Sequence, residues 1–195
     1  MRINEIFYSL QGEGYMTGIP SVFVRFSGCN LACDFCDTDH TGFKEMSVDE
    51  IVARVNEYPS RNVVLTGGEP TLQADARLLE RLKEEGKHIQ IETNGTIRPA
   101  DEVVSLIDWI TCSPKNNRVM IQRIDEVKVL FKDPEQPMEY AERLVAAHHA
   151  KAMLQPCDVA DAEKNRAITS AAVEYVKSHP MWRLSLQTHK MLDIR

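Results

Sequence analysis

No stretch of this sequence reaches the roughly 18 apolar residues that a membrane-spanning helix needs, so no span is expected. Its opening, MRINEIFYSLQGEGY, lacks an apolar run behind a basic start, and a secretory leader is not expected either. Basic charge is also short: 23 lysines and arginines face 29 aspartates and glutamates. The resulting net charge of −6 argues against a nucleic-acid binder, which needs a basic face or stripe. The longest basic feature, Lys115, Arg118 and Arg123 in SPKNNRVMIQRIDEVK, reads as a solvated loop. Repeats, low-complexity segments and linkers are lacking. The expectation is a cytoplasmic protein with one domain over residues 1–195 and neither nucleic-acid nor membrane partners.

What is present is a cluster of thiols. The chain has five cysteines, an odd number that does not suit a closed disulfide framework, and a reducing compartment favours metal or redox chemistry. Three of them fall in GCNLACDFCDTDH (28–40), spaced Cys29-x3-Cys33-x2-Cys36, compact enough for one loop to wrap a metal centre. A tetrahedral zinc site could use these thiolates with His40 as a fourth ligand, although structural zinc sites usually draw on two separate pairs. A 4Fe–4S cluster, normally held by four cysteines, would here keep one iron open for a substrate or cofactor. Cys112 and Cys157 sit at separate strand ends and read as small buried hydrophobes.

The rest of the chain alternates. PSVFVRFSG (20–28), β-branched and aromatic, predicts a strand. SVDEIVARVNEY (47–58) opens with Ser47 and Glu50 at capping-box spacing and repeats Ile51, Val52 and Val55 on one helical face. NVVLTGG predicts a buried strand, ADARLLERLKEEGK a helix stopped by Gly86, and HIQIETNG another strand. ADEVVSLID, MEYAERLVAAHHAK and AEKNRAITSAAVEYVKSH read as helices; WITCSP, DEVKVLF, AMLQP and WRLSLQT read as extended. Such alternation implies a mainly parallel sheet, and about six core strands are too few for an eight-stranded barrel. The expected class is α/β, an incomplete, open (β/α)6-type partial barrel. Active residues of such folds collect at the C-terminal strand ends, where this sequence has GCNLACDFC, TGGEP, ETNGT, SPK and QPCD. Elsewhere, His148 and His149 read as surface, Trp109 and Trp182 as core, and Met138, Met153 and Met181 as packing residues.

The cysteine loop after the first predicted barrel strand, with Phe35 between its last two thiols, resembles the radical S-adenosylmethionine enzymes. TGGEP (66–70), at the next strand end, resembles their GGEP motif. Within that superfamily the chain resembles the 7-carboxy-7-deazaguanine synthase family over nearly its whole length. FYSLQGEG, FVRFSGCNLACDFCDT, LTGGEP, IETNGT, SPK, QPCD and LQTHKMLDI carry the likeness, with Cys157 a mild departure. The resemblance implies a reduced β/α barrel forming homodimers, with a 4Fe–4S cluster, S-adenosylmethionine and Mg²⁺ as cofactors. It implies flavodoxin or ferredoxin as electron donor, and 6-carboxy-5,6,7,8-tetrahydropterin as the small-molecule substrate. That pterin would become 7-carboxy-7-deazaguanine with ring contraction and loss of ammonia, in queuosine and 7-deazapurine biosynthesis.

Residue roles follow from the same resemblance. Cys29, Cys33 and Cys36 would hold the cluster, and Thr38 the Mg²⁺. Leu10, Gln11, Gly12, Arg25, Thr66 and Arg195 would contact substrate; Arg25 suits a carboxylate through its planar fork, against the plainer reading of a surface ion pair. Phe35, Cys36, Asp37, Gly68, Ser113, Pro114, Lys115, Gln155, Pro156, Cys157 and Asp158 would line the S-adenosylmethionine site, with Glu92, Asn94 and Gly95 as further wall. The segment after Gln187, THKMLDIR, is expected to form no closing helix, to lie across the barrel mouth and to keep Met191, Leu192 and Ile194 out of water.

Overall fold

The strand segments carry apolar residues at alternate positions and a polar-rich set between them, which makes the two faces of the sheet chemically different. The computed structural model describes residues 1–33, 36 and 42–195. In chain order its elements are β1 (Arg2–Leu10), β2 (Pro20–Phe26), β3 (Lys44–Glu45), α1 (Val48–Asn56), β4 (Asn62–Gly67), α2 (Ala76–Glu84), β5 (His88–Thr93) and α3 (Asp101–Leu106). There follow β6 (Trp109–Cys112), β7 (Glu126–Phe131), α4 (Glu139–His148), β8 (Lys151–Pro156), α5 (Ala162–Ser178), β9 (Trp182–Leu184) and α6 (Thr188–Leu192).

The nine strands form one open sheet in the order β3-β1-β2-β4-β5-β6-β7-β8-β9. From β2 onward every neighbouring pair is parallel, whereas β1 and β3 pair antiparallel. The partial-barrel class therefore holds: among the described residues the parallel strands number seven against the about six core strands expected, and β1 and β3 lie outside that core. Two additions, β1 and β3, extend the sheet past β2: RINEIFYSL has only Ile3 and Phe7 buried, too weak an alternation to announce a strand. The last strand is three residues long, and the Ser185 N–H to Leu154 carbonyl bond at 2.8 Å is the last rung of its ladder with β8.

Packing separates the faces. Val22, Val24 and Phe26 of β2, Val63 and Leu65 of β4, Ile89 and Ile91 of β5, and Val127, Val129 and Phe131 of β7 meet the helices. Their partners are Ile51, Val52 and Val55 of α1, Leu78, Leu79 and Leu82 of α2, and Val103 and Val104 of α3. Each fully buried side chain of this kind stabilises by about 1.5–3 kcal/mol, so the outer face supplies most of the driving force. Local signals agree: Ser47 Oγ accepts from Glu50 N–H while the Glu50 carboxylate accepts from Ser47 N–H at 2.8 Å, a complete capping box. Gly86 takes φ 69° just past α2. Of the expected packing residues, Met138 and Met153 are buried, but Met181 is 49% exposed beside the end of α5, and Trp109 is only half-buried.

The inner face begins with a small apolar cluster of Phe7, Phe23 and Val64 and becomes polar above it. The loop 11–19 between β1 and β2 folds across this interior. Gly14 N–H bonds Ser185 Oγ at 2.8 Å and Thr188 N–H bonds the Gly12 carbonyl at 2.9 Å, so the loop bridges from the β1 edge to the segment after β9. Among the described residues, no helix is long and apolar enough to cross a membrane.

Candidate active site

A cavity of about 760 Å³ opens at the C-terminal ends of the parallel strands, and Cys29, Cys33 and Cys36 all face it. Their loop is braced by the segment after β5. Asn94 Nδ2 donates to Asn30 Oδ1 at 3.1 Å and approaches Cys29 Sγ at 3.9 Å, and Asn30 Nδ2 donates to Thr96 Oγ1 at 2.8 Å. Thr96 in turn donates to Asn94 Oδ1 from both its N–H and its hydroxyl. Burial, and then the charges of Glu69 and the neighbouring thiols, hold the Cys29 thiol above the ordinary cysteine range. A cation at this point would reverse that penalty, and three thiols on one short loop are a soft donor set suited to iron–sulfur chemistry.

The next strand end brings the backbone in close. Gly67 has φ 110°, the left-handed side that glycine tolerates, and a Cβ on Gly68 would collide with the Gly28 carbonyl. Gly68 and Glu69 N–H bond the carbonyls of Phe26 and Gly28 at 3.0 and 2.9 Å, which ties the GGEP turn to the root of the cysteine loop. Glu69 itself is fully buried and faces away from the cavity. Its Oε1 accepts from Thr71 N–H, Thr71 Oγ1 and Thr93 Oγ1, and its Oε2 from Asn94 N–H at 2.8 Å.

The floor is charged. Lys128 Nζ, buried, lies 2.6 Å from Glu13 Oε2 and 3.5 Å from Glu92 Oε1. Gln11 Nε2 and Thr66 Oγ1 donate to Glu92 at 3.1 and 3.2 Å, and Gln187 Nε2 donates to Glu13 at 2.8 Å. Burial works against the Glu13 carboxylate, but Lys128 outweighs it and brings the pKa down to about 2. Arg25 also lines the cavity, and it pairs with Glu5 at 2.9 Å, so the ion pair and the cavity wall are the same residue. Arg195 pairs with the other oxygen of Glu5 and lies 4.8 Å from the Phe7 ring centre.

Of the residues expected here, Leu10, Gln11, Gly12, Arg25, Thr66, Arg195, Cys36, Gly68, Ser113, Lys115, Gln155, Cys157 and Asp158 line this one cavity with Cys29 and Cys33. Pro114 and Pro156 do not line it. Phe35, Asp37, Thr38 and His40 lie outside the described residues. Burial pushes the Cys112 thiol up to about 12, and no wall is made by it. The segment after Gln187 does form a helix, α6, contrary to expectation: Thr188 N–H and Oγ1 both bond Gly12 O, which starts the turn. It lies along the cavity, yet Met191 and Leu192 are 72% and 60% exposed, and His189, Lys190 and Arg195 are the residues that face inward. Lys190 Nζ reaches Asp158 at 2.6 Å, and that hydrogen bond, with those from Ala160 N–H and Asn165 Nδ2, brings the Asp158 carboxyl down to about 2.

Glu13, Lys128, Gln187, His189 and Lys190 were missed as site residues. The available signal for the first two was charge inside otherwise apolar or glycine-rich segments, EVKVLF and LQGEG. Parallel strands covered on both faces ordinarily read as continuous apolar runs, so a lysine there marks a polar interior.

Comparison with known proteins defines the class first: residues 23–116 match the Radical SAM superfamily, and they span the thiol loop, the GGEP turn and Lys115. Over its full length the chain is 54% identical to a 7-carboxy-7-deazaguanine synthase of Bacteroides thetaiotaomicron, covering 100% of this chain and 98% of that one. It is 42% identical over 205 residues to the 7-carboxy-7-deazaguanine synthase of Neisseria meningitidis serogroup B, covering 99% of this chain and 93% of the relative. Among solved structures, QueE from Escherichia coli superposes with a TM-score of 0.75 at 30% identity, covering 95% of this chain and 92% of that one. The chain belongs to the 7-carboxy-7-deazaguanine synthase family.

Proposed function

We propose that this enzyme converts 6-carboxy-5,6,7,8-tetrahydropterin to 7-carboxy-7-deazaguanine, with ring contraction and loss of ammonia. The observation that supports this most is the combination, in one cavity of a chain so similar to such synthases, of three thiols at the rim and a charged acceptor floor. A 4Fe–4S cluster with S-adenosylmethionine supplies, when bound, a 5′-deoxyadenosyl radical for hydrogen abstraction from the substrate. The protein's own part is to hold, orient and shield.

Cys29, Cys33 and Cys36 hold the cluster in this reading. The backbone of the Gly67–Gly68 turn, with Ser113, Lys115, Gln155, Cys157 and Asp158, would hold S-adenosylmethionine. Arg25 and Arg195 offer guanidinium groups to the pterin carboxylate, with Glu5 keeping both in place until substrate arrives. Glu13 and Glu92 accept from N–H donors on the pterin, and Gln11 and Thr66 fix the Glu92 carboxylate. The helix α6 covers the mouth and limits access of water, a recognised use of such elements. Mg²⁺ on the Thr38 hydroxyl and substrate oxygens, a homodimer, flavodoxin or ferredoxin as electron donor, and a cytoplasmic location belong to the same reading.

The test is anaerobic incubation of reconstituted protein with dithionite, S-adenosylmethionine and the carboxy-tetrahydropterin, followed by mass analysis. 7-Carboxy-7-deazaguanine should appear with about four irons bound per chain. A colourless, zinc-loaded protein, or a loaded protein that leaves the pterin unchanged, would refute the reading.

A further inference from the structure

Two carboxylates sharing one buried ammonium is a costly arrangement, and its position on the floor of the cavity asks for a purpose. Like charges this close do not both stay ionised in a buried site unless a cation lies between them. Lys128 is that cation. Burial opposes its charge, but Glu13 and Glu92 outweigh burial and hold the ammonium above the ordinary lysine range. The titratable groups facing it are Glu13 from the loop after β1, Glu92 from β5, Glu126 from its own strand, and Lys115 from the loop after β6. The other groups bonded to the two carboxylates include Gln11, Thr66 and Gln187, which do not titrate.

We propose that Lys128 is a positioning residue for the substrate: it clamps Glu13 and Glu92 side by side as hydrogen-bond acceptors, and so selects a ring edge carrying N–H donors. A 2-amino-4-oxopyrimidine edge, as in a pterin, has that chemistry; a carboxylated ring with acceptors along the same edge does not. This rests on the pterin reading above. Lys128 acts through the carboxylates, because its ammonium is engaged by both of them.

The experiment uses the reconstituted holoenzyme and measures kcat and KM for the carboxy-tetrahydropterin across pH, with iron content and substrate-free cleavage of S-adenosylmethionine as controls. In the parent, KM should not respond to pH near neutrality. In Lys128→Met the carboxylate pair retains a proton, so KM should rise about 10–100-fold, the worth of a hydrogen bond to a charged acceptor. That rise should be largest at low pH and shrink as pH increases and the pair ionises. Lys128→Arg, always charged, should restore a pH-independent KM. Iron content and substrate-free cleavage should stay at the parent level. If Lys128→Met does not fold, Lys128→Arg and Glu13→Gln decide: the first should keep KM flat with pH, and the second should raise KM about tenfold or more. A KM in Lys128→Met within about twofold of the parent and equally flat, or in its absence an unchanged KM in Glu13→Gln, would overturn the proposal. Failure of the parent to turn over the pterin would instead overturn the function assigned above.

Discussion

Replacing Glu69 by glutamine changes one atom of a side chain that never reaches the cavity, and should nonetheless destabilise the protein substantially. The Glu69 carboxyl accepts four hydrogen bonds: Thr71 N–H at 3.1 Å, Thr71 and Thr93 hydroxyls at 2.6 Å each, and Asn94 N–H at 2.8 Å. Hydroxyls can turn, so they tolerate a donor in place of an acceptor. The two backbone N–H groups cannot. A glutamine amide can satisfy only one of them with its single oxygen, since they bond opposite oxygens of the carboxyl. Its NH₂ then faces the other as a second donor.

An unsatisfied buried backbone N–H costs about 1–3 kcal/mol, and the retained bonds lose the strength that a charged acceptor gives them. Relief from burying a charge offsets part of this, which leaves about 3 kcal/mol. For a chain of this length that corresponds to a drop in Tm of about 6–12 °C. The measurement is thermal unfolding of the cluster-free protein by circular dichroism under reducing, anaerobic conditions, so that ligand loss does not contribute. The side chain joins the GGEP turn to the ends of β5, and Asn94 next to it braces Cys29, so cluster loading should fall along with stability. A variant that melts within about 2 °C of the parent would refute the hydrogen-bond accounting, because no arrangement of an amide recovers both N–H partners.

Replacing Cys29, Cys33 or Cys36 by alanine should abolish iron binding and cleavage of S-adenosylmethionine, while Cys112→Ala retains both; an active Cys33→Ala protein would remove the cluster from that loop. The Glu13–Lys128 pair makes stability depend on acid pH. Because Lys128 depresses the folded pKa of Glu13 below its ordinary value of 4.5, its contribution is present above about pH 4.5 and is lost as pH falls through the depressed value. Urea midpoints should therefore fall with pH in the parent more steeply than in Glu13→Gln, and equal slopes would refute the pairing. Deleting Leu192 to Arg195 removes the Arg195 contacts to Glu5, Ser9 and Phe7 but leaves Thr188 on Gly12. It should raise KM for the pterin or uncouple S-adenosylmethionine cleavage from product, with iron content unchanged; parent-like turnover would show that this end contributes nothing at the mouth.

The outer half of this fold was readable because each of its rules is local. A capping box spans four residues and opens α1, Gly86 stops the helix it follows, α2, and the apolar faces of α1, α2 and the central strands repeat at fixed intervals. What local rules do not carry is pairing with a distant edge. β1 is held by its register against β2, and β3 is two residues attached to that edge through Arg2 and Ile3. The helix α6 begins where Thr188 meets Gly12, 176 residues earlier in the chain, and its exposed methionine and leucine gave the wrong expectation about which side would face inward.

The site divides in the same way. Its rim is written in contiguous motifs because a cluster and a cofactor backbone contact each need several residues from one loop, so the spacing of Cys29, Cys33 and Cys36 marks a metal centre, and the family resemblance separates a cluster from zinc. Its floor is assembled from single residues on different elements. Lys128 meets Glu13 across 115 positions and Glu92 across 36, and neither carboxylate is near the lysine in sequence. One trace remains visible: in HIQIET and EVKVLF the polar residues fall at every second place, Gln90 and Glu92, then Glu126 and Lys128. In a strand buried on both faces that alternation is expensive unless the second face is itself a polar chamber. Those alternating charges mark the chamber face of β5 and β7, whereas Glu13, which closes the clamp on Lys128, comes from the loop after β1 and carries no such strand signal.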